Sequence, residues 1–385
     1  MATLSQWQRI DRVLPGLPFG DAKDGDATIS SDPNTRTSIT GTATELTGTA
    51  GSTAFADGDL VKLIQTQGTN SGQYEINMVA SGGGTTSLTF KVALHYTFGT
   101  GAQIIKIPRY RVATVAAHSP TAWNGTSGGH EIVLAKISIT TSGILSASGV
   151  GFRGGSAPST FGSAPGASGY RGEGQNNTVN NAGNVRGGGQ TGADGIAGAG
   201  ARAGGITGED HNLHHSGGGG GHSTAGGNGY WATAIGGGIV GVTDLTTIFF
   251  GGAGGAGSSF NEQAGQAGRN SGGIVEFISN HLELSAAVNC NGVNGLNYPN
   301  AYGGAGGASA GGSFLGVCKT ATLGSGLITA IGGTSPVSEG GSTGGVGRIA
   351  IHHSGTITGT TNPTFTDVED LTLIETNAAI LYSLI

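Results

Sequence analysis

The densest run of chemically capable side chains is Glu209-Asp210-His211-Asn212-Leu213-His214-His215, with His222 beyond Ser216 and five glycines. Imidazoles and carboxylates so spaced are ligand types for Zn²⁺ or Ni²⁺. No helical register fixes them, however, and glycine does not hold ligands in place. His211, His214 and His215 therefore read as a polar loop tip suited to binding, and neither a metal nor a cofactor is expected. His352-His353 is a weaker pair, since neighbours in a strand point to opposite faces. The second notable cluster is aromatic. Tyr230-Trp231 lies between Gly229 and Gly236, and Phe161, Tyr170, Phe260, Tyr298 and Tyr302 sit in similar glycine-rich surroundings. Rings carried on rigid loops stack on sugars and anchor interfaces. The plainer role is to fill gaps between glycine segments. As a set they point to contact with a partner, with Tyr230 and Trp231 foremost.

Catalytic patterns are thin. A Gly-x-Ser-x-Gly elbow between strand and helix is missing from the sequence. Glycine-spaced matches to nucleotide fingerprints arise by chance in a chain with 79 glycines and lack a βαβ setting. Glu173, Asp194, Glu209, Asp210 and Glu262 are the few acids available for a glycosidase pair. Cys290 and Cys318 sit in apolar segments and read as buried, inert thiols. Charged residues make up 10% of the chain and the net charge is −6, which leaves no broad basic surface for nucleic acid. No apolar run reaches the length of about 18 residues that marks a membrane span, so membrane insertion is not expected. The first residues lack a basic segment followed by an apolar one, so no secretory signal is expected. These features favour a binding protein over an enzyme.

The elements that must position these residues read as all-β. Residues 1–25 form an attachment segment. Leu4, Trp7, Ile10 and Leu14 recur at helical spacing, Ser5 with Gln8 resembles a capping box, and Pro15-Gly16-Leu17-Pro18 ends the helix. One role is a short helix folded on the body. The other is an assembly anchor that inserts Trp7, Ile10 and Leu14 into a larger particle. On that second reading, deleting residues 1–20 leaves a folded body.

Residues 26–120 form a small barrel or roll of short strands separated by glycine turns, such as Leu60-Val61-Lys62-Leu63-Ile64 and Gly82-Gly83-Gly84. Residues 121–365 contain a repeat. The sequences after Gly129 and Gly312 align without gaps, a looser copy follows Gly273, and a truncated one follows Gly347. Each copy reads as strand, turn, strand, turn, strand, then a glycine loop. Units that cannot bury a face alone stack, giving a β-solenoid-like core. Residues 151–273 interrupt it as a glycine block, expected to pack as polyproline-II-like rods. Within that block Leu245-Thr246-Thr247-Ile248-Phe249-Phe250 reads as an apolar strand packed on the core. Residues 366–385 form an apolar tail.

The strand and glycine-loop units, as in Gly272-Gly273-Ile274-Val275 and Gly345-Val346-Gly347-Arg348-Ile349-Ala350-Ile351, resemble glycine-rich phage tail-fibre and adhesin proteins. They are also similar to glycine-rich bacterial surface proteins. The resemblance implies a polyglycine-II sandwich whose end loops select a host receptor. It implies a virion location, other tail proteins and a host glycan or outer-membrane protein as partners, and a homo-oligomeric state. The remaining alternatives are a bacterial extracellular surface or filament protein and a polysaccharide depolymerase.

Overall fold

The computed structural model describes residues 4–157, 172–175, 216–229, 234–257, 264–297, 304–335 and 342–373. It is essentially all-β, with 37% strand and 2% helix, and its sheets curl into half-barrels. The front sheet is antiparallel. Its strands are β2 (Arg36–Ser38), β3 (Thr47–Thr49), β4 (Leu60–Gln65), β5 (Tyr74–Ser81), β6 (Ser87–Phe90) and β7 (Ala102–Lys106), in the order β2-β7-β4-β5-β6-β3. The β-branched runs form the strands as expected, and Gly82 and Gly84 adopt positive φ between β5 and β6. One side of this sheet closes on its own core of Ile39, Phe55, Val61, Leu63, Val79, Phe90, Phe98 and Ile104.

The first and last strands of the front segment leave that sheet. β1 (Ala27–Ile29) and β8 (Arg109–Val115) join a long parallel sheet with β9 (His130–Thr141), β11 (Ile274–Leu284), β13 (Ser313–Thr329), β14 (Arg348–His353) and β16 (Thr366–Glu369). The short strands β10 (Leu145–Ser146), β12 (Val288–Asn289) and β15 (Ile357–Asn362) continue the rungs beyond a bend. Corresponding residues of the repeat copies lie side by side. Glu131 pairs with Val275 and Val275 with Phe314, while Phe314 pairs with Ile349. The gapless alignment holds through Ala135 and Cys318, slips by one at a bulge near Ser279, and recovers where Leu145, Val288 and Ile328 line up.

Two expected features differ. β13 runs unbroken over 17 residues where the sequence reads as three strands. Gly324-Ser325-Gly326 is not a turn. It is a pair of bulges, with register shifts on both sides of Ser325 and positive φ at both glycines. Leu245–Phe250 packs on the core as expected but forms no strand. Leu245 adopts φ 55°, which breaks extension, and Ile248 N–H bonds to Gly72 O at 3.0 Å in place of a ladder partner.

The N-terminal segment makes two 3₁₀ turns, Gln6–Gln8 and Ile10–Arg12, rather than one α-helix. Ser5 N–H does donate to Gln8 Oε1 at 3.0 Å. Leu4, Ile10, Val13 and Phe19 are buried in a central cluster with Ile76, Ile105, Leu134, Ile278 and Val317, and Leu14 packs against it. That cluster lies between the front sheet and the parallel sheet.

Candidate functional site

Glycine segments connect one rung of the parallel sheet to the next, and their hydrogen bonds step by three residues. Gly251, Gly254 and Gly257 donate to Gly272, Arg269 and Gln266, so these two segments run antiparallel. Gln266, Arg269 and Gly272 donate to Gly304, Gly307 and Ala310, a parallel pairing. Gly217 and Gly220 donate to Ala305 and Ala308, also in parallel. Residues 304–312 exchange main-chain bonds with six other segments: 216–221, 251–257, 264–273, 291–297, 331–335 and 342–347. A strand in a sheet has at most two such neighbours, so these segments pack in three dimensions. Side chains would not fit. A Cβ on Gly217, Gly219, Gly220, Gly254, Gly307 or Gly344 would fall on a carbonyl of an adjacent segment.

These registers fix which segment ends share a pole. Following the pairings outward from β10, β12 and β13, the described ends at Ala157, Asn297 and Ser335 point away from the sheets. Gly229, Ala234, Gly257, Ala264, Gly304, Ser342 and Ser216 lie at that same pole, because each is in register with one of those ends or with its neighbours. Four connections therefore start and finish at one pole: 230–233, 258–263, 298–303 and 336–341. Tyr230 and Trp231 belong to the first of them. Gly229 N–H bonds to Ala234 O at 2.7 Å, so that connection begins and ends at a main-chain clasp. Tyr230, Trp231, His211, His214 and His215 themselves lie outside the described residues.

Asp194, Glu209, Asp210, Glu262, Phe161, Tyr170, Phe260, Tyr298 and Tyr302 also lie outside the described residues, and the candidates that are described make structural contacts. Glu173 is buried and accepts from Trp123 Nε1 at 3.1 Å and from Arg153 Nε at 2.9 Å, pinning a glycine segment to the aromatic cluster of Trp123, Phe152 and Phe250. Burial pushes both thiols, Cys290 and Cys318, up to about 12, which leaves them protonated and unreactive near neutral pH. His222 Nδ1 lies 2.8 Å from Gly311 O inside the glycine packing, and burial lowers its pKa to about 4. Among the described residues no group of three His, Cys, Asp or Glu side chains is placed to hold a metal. Leu4, Gln8, Arg9 and Ile10 of the N-terminal segment line a small, partly open pocket of about 20 Å³ with Ile76, Ile278, Val317 and Leu373, room for about one water. Ile10 is thus committed to this chain's own core, with Leu14 beside it. Trp7 lies within the first 3₁₀ turn, and its side chain is outside the described residues.

Sequence reasoning missed a buried ionic cluster. Lys62 Nζ on β4 and His130 Nε2 on β9 both meet Glu276 Oε1 on β11, the histidine at 2.6 Å. All three side chains are at most 1% exposed. The Lys62 ammonium also lies 3.5 Å from the centre of the Tyr74 ring, a cation–π contact. Despite burial, Lys62 and His130 hold the Glu276 pKa down to about 2. Near it His118 Nε2 lies 3.0 Å from both Glu131 oxygens. Burial opposes charge on His118, but the Glu131 carboxylate outweighs it and raises the His118 pKa. Burial raises that of Glu131.

No protein-family model, curated protein or solved structure matches this chain.

Proposed function

We propose that the chain is a non-enzymatic adhesin of a tailed-phage virion, a fibre, spike or tip protein that recognises a host surface through loops at one pole of a polyglycine-II-like bundle. The observation that carries this reading is the return of four connections to one pole, on segments whose bonds repeat every third residue. Three residues per turn is the period of a polyproline-II helix, and six bonded neighbours make a rigid mount. Loops on a rigid scaffold are where binding groups concentrate. Tyr230 and Trp231, with the loop of His211, His214 and His215, supply aromatic and polar contacts for a host glycan or outer-membrane protein. Several copies per particle multiply a weak single contact. The Trp7 segment attaches the body to other tail proteins.

Replacing Trp231 with alanine is expected to cost about 2 kcal/mol at each contact. Particle adsorption to cells should fall at least tenfold, with fold and particle yield unchanged. Adsorption assays on particles carrying the variant measure this. Normal adsorption by Trp231→Ala, and again after replacement of residues 209–215, would remove the pole as the receptor site. Chelator is expected to leave adsorption unchanged.

A further inference from the structure

We infer that the Lys62–Glu276–His130 cluster is an acid-sensitive clamp, one that holds the front sheet on the parallel sheet at neutral pH and loosens it on acidification. The geometry places one partner on the front sheet and two on the parallel sheet. Lys62 projects from β4, whereas His130 and Glu276 are on adjacent strands β9 and β11, with Ile274 in register with His130. Around them the interface is apolar: Leu60, Ile64, Ile76 and Ile105 face Ile132, Leu134, Ile274 and Ile278. The cluster is the charged centre of this contact.

Its proton inventory is tight. His130 Nε2 is bound to Glu276 Oε1, and a neutral ring then carries its proton on Nε2 and a bare Nδ1. That Nδ1 is buried and has no hydrogen-bond partner. With Lys62 positive, Glu276 negative and His130 neutral, the cluster sums to zero. A proton added at Nδ1 gives a net positive charge and an N–H with no acceptor, both costly away from water. The groups facing His130 do not relieve this. Lys62 and Arg36 both repel the extra proton, although Arg36 is itself paired with Asp32. Tyr74 is held in its neutral form, chiefly by burial and then by Glu276 and Asp244. Glu276 is already shared.

Burial pushes the His130 pKa from 6.5 to about 4, against the attraction of Glu276. An opened interface returns it to the ordinary value. The open state therefore binds the proton first, and docking weakens as pH falls from about 6.5 to about 4. The weakening approaches tenfold per pH unit and totals roughly a hundredfold or more over that window. The depressed pKa of Glu276 adds to the loss only below about 4.5, as pH falls towards its folded value near 2.

The test is native-state hydrogen exchange on the full chain, with opening constants of β4 and β5 corrected for intrinsic exchange rates. Wild type should show opening rising at least tenfold between pH 7 and pH 5, while the β11 and β13 amides keep their protection. Two variants remove the effect by different routes. His130→Gln keeps a donor for Glu276 and cannot take up a proton. Lys62→Met removes a cation, so that a protonated His130 with Glu276 becomes a neutral pair. Each variant that folds should flatten the pH dependence of β4 and β5. A wild-type opening constant that does not change with pH overturns the clamp. So does parallel loss of protection in β11 and β13, or an unaltered pH dependence in whichever variant folds.

Discussion

Valine at position 219 or 220 is expected to prevent the chain from folding to a soluble form. Gly220 donates its N–H to Ala308 O at 3.0 Å and accepts from Gly345 N–H at 2.7 Å, while a Cβ built on it would fall on the carbonyl of Gly252. A Cβ on Gly219 would fall on the carbonyl of Thr343. The obstacle is main chain, not the end of a flexible side chain, so a neighbour cannot rotate away. Relief requires moving a whole segment and breaking its three-residue ladder. Each hydrogen bond lost is worth about 1 kcal/mol and overpacking costs about 1–3 kcal/mol more. Three or four bonds with the strain reach about 4–7 kcal/mol, against a total stability of about 5–15 kcal/mol. Gly99→Ala is the matching control. Gly99 has ordinary φ, and nothing lies within 4 Å of its added Cβ, so its thermal midpoint should move by less than a few degrees. Soluble yield and thermal unfolding read out both. A Gly220→Val protein that unfolds within a few degrees of wild type would show that the glycine segments are not packed through their missing side chains.

The alternating and β-branched runs of the front sheet were legible because their apolar residues are buried, as in β4, β5 and β7, and turns are marked by glycine. The repeat was legible for a related reason: glycine pairs precede β9, β11 and β13 and Gly347 precedes β14, and at the last three the chain leaves the three-residue ladder and enters the sheet. Two kinds of feature were not legible. Gly324 and Gly326 read as a turn because glycine marks turns and bulges alike, and only the neighbouring rungs decide between them. Lys62, Glu276 and His130 sit in or at the ends of apolar runs, where a charged residue suggests an outward face. The burial of every residue in β4 shows that this strand has no outward face, since both sides of the front sheet are covered there. The sequence signal was a charged residue at the centre of Leu60-Val61-Lys62-Leu63-Ile64 and again in Ile274-Val275-Glu276-Phe277-Ile278. Charges of opposite sign in two such runs are a reason to look for each other. The pole itself was partly legible. Glycine runs announce the segments, but their directions follow from pairings between residues as distant as Gly217 and Ala305.

Deleting residues 1–20 is expected to destabilise the body itself, whatever the segment does in a particle. Leu4, Ile10, Val13 and Phe19 are each at most 7% exposed and belong to the cluster that joins the two sheets. Burial of side chains of this size contributes about 1.5–3 kcal/mol each, so their removal forfeits about 6–12 kcal/mol as an upper bound. The polar losses act in the same direction. Arg12 pairs with Glu75 at 2.6 Å, and Glu75 is fully buried. Gln8 Nε2 donates to Thr246 O at 2.6 Å, and Val13 O accepts from Lys91 Nζ at 2.8 Å. Removing Arg12 strands a buried carboxylate, a loss of about 3–5 kcal/mol for such pairs. The truncated protein should therefore be insoluble or partly unfolded, and Arg12→Met alone should lower the thermal midpoint by several degrees. This outcome also changes how attachment must be tested, because a truncation that fails to enter particles would report misfolding as readily as a lost anchor. Trp7→Ala is the sharper variant. If Trp7 anchors the chain, the variant should fold with a midpoint near that of wild type and be missing from purified particles by mass spectrometry. A 1–20 deletion that stays folded with an unchanged midpoint would refute the structural role of the segment and return it wholly to assembly.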